Sequence, residues 1–241
     1  MIHWRSKLYG SYVSTAQTAV SVDGNVPLEL SAYPQLRHVI ERHVPADRSV
    51  RIADLGCGHG ALIFCLRTLG YVSIEGVDVS PEQVALAKRL GIGGVSHGEI
   101  ADFLKNRTAN YDILFIMDVL EHLDKQELVD LLELVREALT EGGKVIIHVP
   151  NAEGIFGMRV RYGDLTHQIC FTPQSIRQTL LATGFKHISV YEDKPIVHGT
   201  KSLIRRVLWD FLTVRERLLL LAETGAMGHV LSQNMLVVTG K

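Results

Sequence analysis

No run in this sequence reaches the ~18 apolar residues that a membrane span requires, and the N-terminus lacks a signal-peptide-like apolar core. Cysteine is scarce. Cys57, Cys65 and Cys170 form no C-x-x-C pair, which suits a reducing compartment. Charge of one sign is also missing: the formal net charge of −1 leaves no basic excess for a general polyanion binder, so nucleic acid is not expected as a partner. Repeats and low-complexity segments are absent. These features predict a cytoplasmic chain. Its 241 residues, 46% of them hydrophobic, suffice for one α/β domain with embellishments.

The organising stretch is V-R-I-A-D-L-G-C-G-H-G, from Val50 to Gly60. Its apolar residues read as a buried parallel strand that ends in an acid, Asp54. Glycines then stand at every second position, Gly56, Gly58 and Gly60, before a helical run from Ala61 to Leu69. Strand, glycine turn and helix form the nucleotide-cradling unit of doubly wound folds, because glycine permits unusual backbone angles and close approach of a ligand. Gly56, Gly58 and Ala61 also satisfy the dinucleotide pattern G-x-G-x-x-G/A, so the turn by itself leaves the ligand open.

Residues 1–49 read as an N-terminal arm, with a helix from Pro34 to His43. Tyr9 and Tyr12 either reach the substrate or anchor that arm. Tyr71 to Asp78 reads as the second strand, and Asp78 lies 22 residues after Gly56. A carboxylate at that tip, followed by Val79, can accept hydrogen bonds from both hydroxyls of a ribose. Further strands are expected at 94–97, at Tyr111–Met117, at Lys144–Val149 and at two sites near the C-terminus, Lys186–Glu192 and Asn234–Thr239. The last two lack a crossover rhythm and suit antiparallel pairing. A helix is expected from Asp124 to Leu139, stopping at Gly142-Gly143. Residues 50–150 thus form a core, 151–172 a lid, and 195–230 a leucine-rich helical insert. The insert carries Lys201, Arg205, Arg206, Arg215 and Arg217; packing or dimerisation through 200–222 is favoured over contact with an anionic membrane.

D-L-G-C-G-H-G resembles motif I of the class I S-adenosylmethionine-dependent methyltransferases. V-D-V-S, D-V-L-E-H-L, G-G-K-V-I-I and F-T-P extend the likeness over nearly the whole chain after Val50. The resemblance implies a Rossmann-like, doubly wound seven-stranded sheet, parallel except for an antiparallel last strand. It implies that Asp54, Gly56, Cys57, Gly58 and Gly60 serve the methionine half of the cofactor, and that Glu99, Ile100 and Ala101 border adenine. Asp118 would lie beside the transferable methyl. Y-V-S-T near the N-terminus and G-D-L-T-H in the lid resemble a bacterial branch associated with polysaccharide and O-antigen biosynthesis. That likeness implies a sugar or glycan acceptor, free or lipid- or nucleotide-linked; membrane contact through 200–222 would place the chain at the inner membrane surface.

A sugar hydroxyl must lose its proton to attack, so a general base is expected. His167 is the first candidate, with Asp164 to orient it; Asp118 and His122 are held in reserve. A lid-fixing hydrogen bond is the competing role for His167. Asp118, Glu121 and His122 have the i, i+3, i+4 spacing of a helical metal face, yet orienting hydrogen bonds are the preferred reading and no metal is expected. Arg159 and Arg161 either bind a carboxylate or phosphate of the acceptor or are simply solvated. The alternatives are a quinone or phenol O-methyltransferase, an NAD(P)-dependent oxidoreductase with a wholly parallel sheet, and a non-catalytic binding module.

Overall fold

The computed structural model describes residues 3–10 and 26–241. Tyr12 and the Y-V-S-T stretch lie outside the described residues. Seven strands form one sheet in the order β3-β2-β1-β4-β5-β7-β6. All four residues of β1 (Ile52–Leu55) are buried, as expected of a strand covered on both faces. It pairs in parallel with β2 (Ile74–Asp78) on one side and β4 (Tyr111–Met117) on the other. Chain order therefore reverses between β1 and β4, which in open α/β sheets opens a crevice at the strands' carboxyl ends. β3 (Val95–His97) closes one edge in parallel with β2. β5 (Leu139–Pro150) and β6 (Lys186–Glu192) both pair antiparallel with β7 (Asn234–Gly240). The sheet is thus the mixed one expected, and not a wholly parallel one.

Two apolar layers cover the sheet. On one face α2 (Pro34–His43), α3 (Ala61–Thr68) and α4 (Pro81–Arg89) bury Val39, Ile63, Leu66 and Ala87 against Ile52 and Phe115. On the other, α6 (Lys125–Ala138) and α8 (Pro173–Ala182) pack onto Leu114, Ile116 and Ile147. Leu128, Leu131, Leu132 and Val135 make the inward stripe of α6 at helical spacing. Burying each contributes about 1.5–3 kcal/mol. Asp124 caps that helix in a reciprocal box with Glu127.

Three expectations need correction. The second strand begins at Ile74, because Tyr71 turns inward and its hydroxyl donates to the Pro45 carbonyl at 2.8 Å. β5 begins at Leu139 directly after α6, and Gly142 (φ +77°) sits in an irregularity of the β4–β5 pairing rather than stopping a helix. The lid holds one short helix, α7 (Gly157–Arg161). The remaining helices are α1 (His3–Gly10), α5 (Ile100–Leu104) and the insert's pair, α9 (Thr200–Leu212) and α10 (Val214–Thr224). No helix among the described residues is long and apolar enough to cross a membrane.

Candidate active site

The crevice at the β1/β4 reversal holds a cavity of about 340 Å³. Gly56 and Gly58 of the first turn line it, with Asp78 and Val79 from the tip of β2 and Glu99 and Ile100 from the start of α5. Gly56 has φ +81°, and a Cβ there would come within 2.3 Å of Val119, so only glycine fits. Both Asp78 oxygens are held by backbone N–H groups, from Gly58 and Ser80, each at 2.8 Å. Burial nonetheless raises its pKa. The carboxylate keeps accepting capacity for a ligand in the cavity.

Other predicted cofactor residues serve the turn rather than line the cavity. Gly60 (φ +85°) lets the turn close on Ile92, which a Cβ would meet at 2.8 Å. Cys57 is buried against the backbone of Gly76, where an added Cβ would stand 2.9 Å from its sulfur; its side chain belongs to the core. Ala101 is exposed. Asp54 is 2% exposed, and its Oδ1 has no hydrogen-bond partner among the described residues. Burial, with the nearby charge of Asp78, pushes its pKa up to about 8.

The opposite end of the cavity is lined by Asp118, His122 and His167, with Arg5 and Tyr9 from α1. Burial pushes the Tyr9 phenol up to about 12. Arg5 ion-pairs with Glu127 and donates to the His122 carbonyl at 3.1 Å, which ties the arm to the loop after β4. The residues after β4 do not form the helical face expected. Asp118 has φ +56° and Leu120–His122 is a short 3-10 turn, so the three residues do not share the face of an α-helix. Glu121 and His122 instead meet His167 from the lid. Their ligating atoms all lie within 4.8 Å of one another.

The protonation pattern of that cluster follows from its hydrogen bonds. Thr166 Oγ1 donates to Asp164 Oδ1 at 2.6 Å, and so accepts from His122 Nδ1 at 2.8 Å. His167 Nδ1 donates to the Val160 carbonyl at 3.1 Å. In its neutral form each imidazole therefore leaves Nε2 without a proton. That of His167 lies 3.9 Å from Glu121 Oε1. Burial, then the charge of His167, pushes His122 down to about 4, which keeps it neutral. The Glu121 side chain is 1% exposed, and neither carboxylate oxygen has a hydrogen-bond partner among the described residues. Burial and the charge of Asp118 hold its pKa well above the ordinary value. The expected orienting hydrogen bond of the Glu121 side chain is absent there. Two bare nitrogens and a buried carboxyl make a ligand set for a divalent cation.

Asp164 holds His122 through Thr166, and its carbonyl accepts from the His167 N–H at 3.3 Å; the hydrogen bond of the His167 ring goes to Val160. Arg161 donates to the carbonyls of His167 at 2.5 Å and Gln168 at 2.7 Å, so it shapes the lid. Arg159 is exposed and lines neither large cavity. A second cavity of about 550 Å³ shares Met117 and Asp118 with the first and includes Arg42, His148 and Asp193. His148 Nδ1 lies 2.7 Å from Asp118 Oδ1, and its Nε2 lies 3.4 Å from Asp193. Burial would lower the pKa of His148, but the two carboxylates hold it well above the usual value. Sequence reasoning missed Arg5, His148 and Asp193. Only His148 left a signal, a polar residue inside the apolar run K-V-I-I-H-V.

Residues 30–190 match the family model described as a methyltransferase domain. The chain belongs to that family. Its methyl donor is S-adenosylmethionine, and the fold agrees with solved members. A S-adenosylmethionine-dependent methyltransferase from Archaeoglobus fulgidus superposes with a TM-score of 0.66 at 18% identity, over 93% of this chain and 99% of that one. A Haemonchus contortus phosphoethanolamine N-methyltransferase 2, solved with S-adenosyl-L-methionine, gives 0.66 at 17% identity, over 97% of this chain and 60% of that one. Among curated proteins, a small RNA 2'-O-methyltransferase of Rattus norvegicus is 28% identical over 143 residues, 53% of this chain and 35% of the relative. The chain spans little more than a third of the length of the curated relatives it matches.

Proposed function

We propose that this chain moves the methyl group of S-adenosylmethionine to a sugar hydroxyl, releasing S-adenosylhomocysteine. The carrying observation is the convergence of Glu121, His122 and His167 at one end of the glycine-turn cavity. In this reading adenosine lies along Asp78, Val79, Glu99 and Ile100, and the methionine half lies over Gly56 and Gly58. The reacting end then falls beside Asp118, His122 and His167. The donor supplies an already activated methyl on a sulfonium. The chain aligns the acceptor oxygen in line and excludes water. That oxygen bonds to the methyl carbon while the carbon–sulfur bond breaks, its electron pair going to sulfur, and the hydroxyl proton must leave.

Glu121, His122 and His167 would hold a divalent first-row cation, and a cation so held acidifies a bound hydroxyl near neutral pH. A second reading rests on the bare Nε2 of His167: that nitrogen takes the proton itself as general base. Chelation followed by return of Mn²⁺ separates them. Activity lost and restored supports the cation; activity untouched by chelation supports the base.

The glycan acceptor draws its support from the Y-V-S-T and G-D-L-T-H resemblance. The rat relative's name places its methyl on a ribose hydroxyl of RNA, which agrees with a sugar oxygen and stands against the expectation of no nucleic acid. The test is transfer of labelled methyl to nucleotide sugars, lipid-linked glycans, small RNA and quinols in parallel. Label on a glycan hydroxyl upholds the proposal. Label on RNA alone keeps the chemistry and replaces the acceptor, and label on a quinol moves it to the phenolic class. Cofactor binding without turnover on any acceptor would point to a binding module.

A further inference from the structure

Helix α9 is built the reverse way from a helix that packs on its own domain. Its inward side is mostly polar: Ser202, Arg206 and Thr213, with Trp209 among them, recur at i, i+4, i+11 and i+7, with Ser202 and Thr213 buried. Its outward side is apolar. Leu203, Ile204, Val207, Leu208, Phe211 and Leu212 are 49–73% exposed. Val214, Leu218 and Leu219 carry the apolar surface onto α10. An amphipathic helix packing on its own domain turns the apolar stripe inward. Polar anchors set the orientation seen here. Arg217 donates to both Glu192 oxygens at 2.9 Å, Lys194 lies 3.4 Å from Asp210, and the Ser202 hydroxyl accepts from the His198 N–H at 2.8 Å. No described residue covers the outward side, so the packing expected from the leucine pattern is not made within them.

Charge decides between a second copy and a lipid surface. Cations border the apolar strip: Lys201 and Arg205 are exposed and in no ion pair among the described residues. Arg215 is 82% exposed, with Glu216 3.9 Å away. The acid on α9, Asp210, is already taken by Arg206 and Lys194. A twofold pairing would bring like charges together, whereas anionic headgroups would satisfy them.

We propose that the outward face of α9 and α10 docks on an anionic membrane surface, its apolar strip entering the headgroup boundary and Lys201, Arg205 and Arg215 pairing with lipid phosphates. The test is flotation of the full chain with phosphatidylcholine vesicles, with and without phosphatidylglycerol, alongside sedimentation of the protein alone. Binding is expected only where phosphatidylglycerol is present, and should weaken with salt. Leu208→Asp with Phe211→Asp should abolish it. Lys201→Glu, Arg205→Glu and Arg215→Glu should each weaken it about fivefold. Circular dichroism and S-adenosylhomocysteine binding should be unchanged in every variant. Failure to bind anionic vesicles overturns the proposal, as does binding that survives the Leu208 and Phe211 changes. A dimer that Phe211→Asp dissociates, with vesicles left unbound, assigns the face to a second copy instead.

Discussion

Oδ1 of Asp118 lies 2.7 Å from Nδ1 of His148, at the seam where the two large cavities meet. The same imidazole reaches Asp193 on its other nitrogen, so one cation serves two carboxylates. Burial alone would raise Asp118, but the charge and hydrogen bond of His148 keep it below the ordinary carboxylate value. Replacing His148 by Gln leaves Asp118 and Asp193 facing each other uncompensated. A fully buried pair broken in this way costs about 3–5 kcal/mol. The Asp118 side chain is 54% exposed to the cavity, so solvent screening reduces the expected loss to about 1–2 kcal/mol.

The pH dependence of that loss has a definite sign. The folded pKa of His148 lies above its unfolded value, so its contribution is complete below about pH 6.5 and fades as pH rises through the folded value. Asp118 acts in the opposite sense, contributing above its unfolded value and losing that as pH falls through the depressed folded one. Thermal unfolding of wild type and His148→Gln should therefore differ most in mildly acid solution and converge in alkali. Curves that stay parallel across that range would show that the imidazolium does not bridge the carboxylates.

Glu121 yields a prediction with two arms. Its folded pKa is raised by burial, so the metal-free protein loses stability as pH climbs above the ordinary glutamate value. Glu121→Gln carries no such charge. The metal-free variant should melt higher than metal-free wild type, with a gap that widens from acid to neutral pH. Mn²⁺ should reverse the order by stabilising wild type through linkage and leaving the variant unmoved. Calorimetry with and without the ion reads both arms, and an equal response of the two proteins to Mn²⁺ would remove Glu121 from the ligand set.

What was legible in the sequence was local. β4 runs from Tyr111 to Met117 and α2 from Pro34 to His43, as their patterns predict, because burial periodicity and a proline at N1 act within one element. The glycine turn was legible for the same reason. The meeting of Glu121 and His122 with a lid histidine is not legible in the sequence, because the i, i+3, i+4 spacing speaks only of a helix. Asp118 takes a left-handed backbone angle and breaks that geometry. The third member, His167, comes from the lid far along the chain, where no sequence period connects it to Glu121. Cys57 stands in the turn that the resemblance gives to the cofactor, but alternating glycines do not say which way their small neighbour points, and its side chain is buried against Gly76.

Arg161 tests whether the lid is fixed from within. The sequence leaves Arg159 and Arg161 as either acceptor-binding or solvated cations; among the described residues only Arg161 is engaged, donating to two lid carbonyls. Arg161→Ala frees both and loosens the loop that carries His167. Each charged hydrogen bond lost is worth about 1.5–3 kcal/mol. Turnover should fall at least tenfold, S-adenosylhomocysteine affinity should hold, and proteolysis within the lid should quicken. Arg159→Ala should leave all three unchanged. Equal losses from both substitutions would return the arginines to acceptor binding.

Asp78 anchors the glycine turn and faces the cofactor cavity at once. Its oxygens hold the Gly58 and Ser80 amides while the same carboxylate faces the cavity. Asp78→Asn keeps the shape, but one acceptor becomes a donor and one backbone amide loses its partner. Affinity for S-adenosylmethionine and S-adenosylhomocysteine should drop together by about tenfold to a hundredfold, as expected for one or two charged hydrogen bonds. Asp78→Ala should drop it further, because the glycine turn then loses its anchor on β2. Parallel titration with NADH supplies the control: the family predicts no heat from it in wild type. Retention of full affinity for both sulfur ligands in Asp78→Asn would place the ribose elsewhere in the cavity, with the Glu99 side as the next position to substitute.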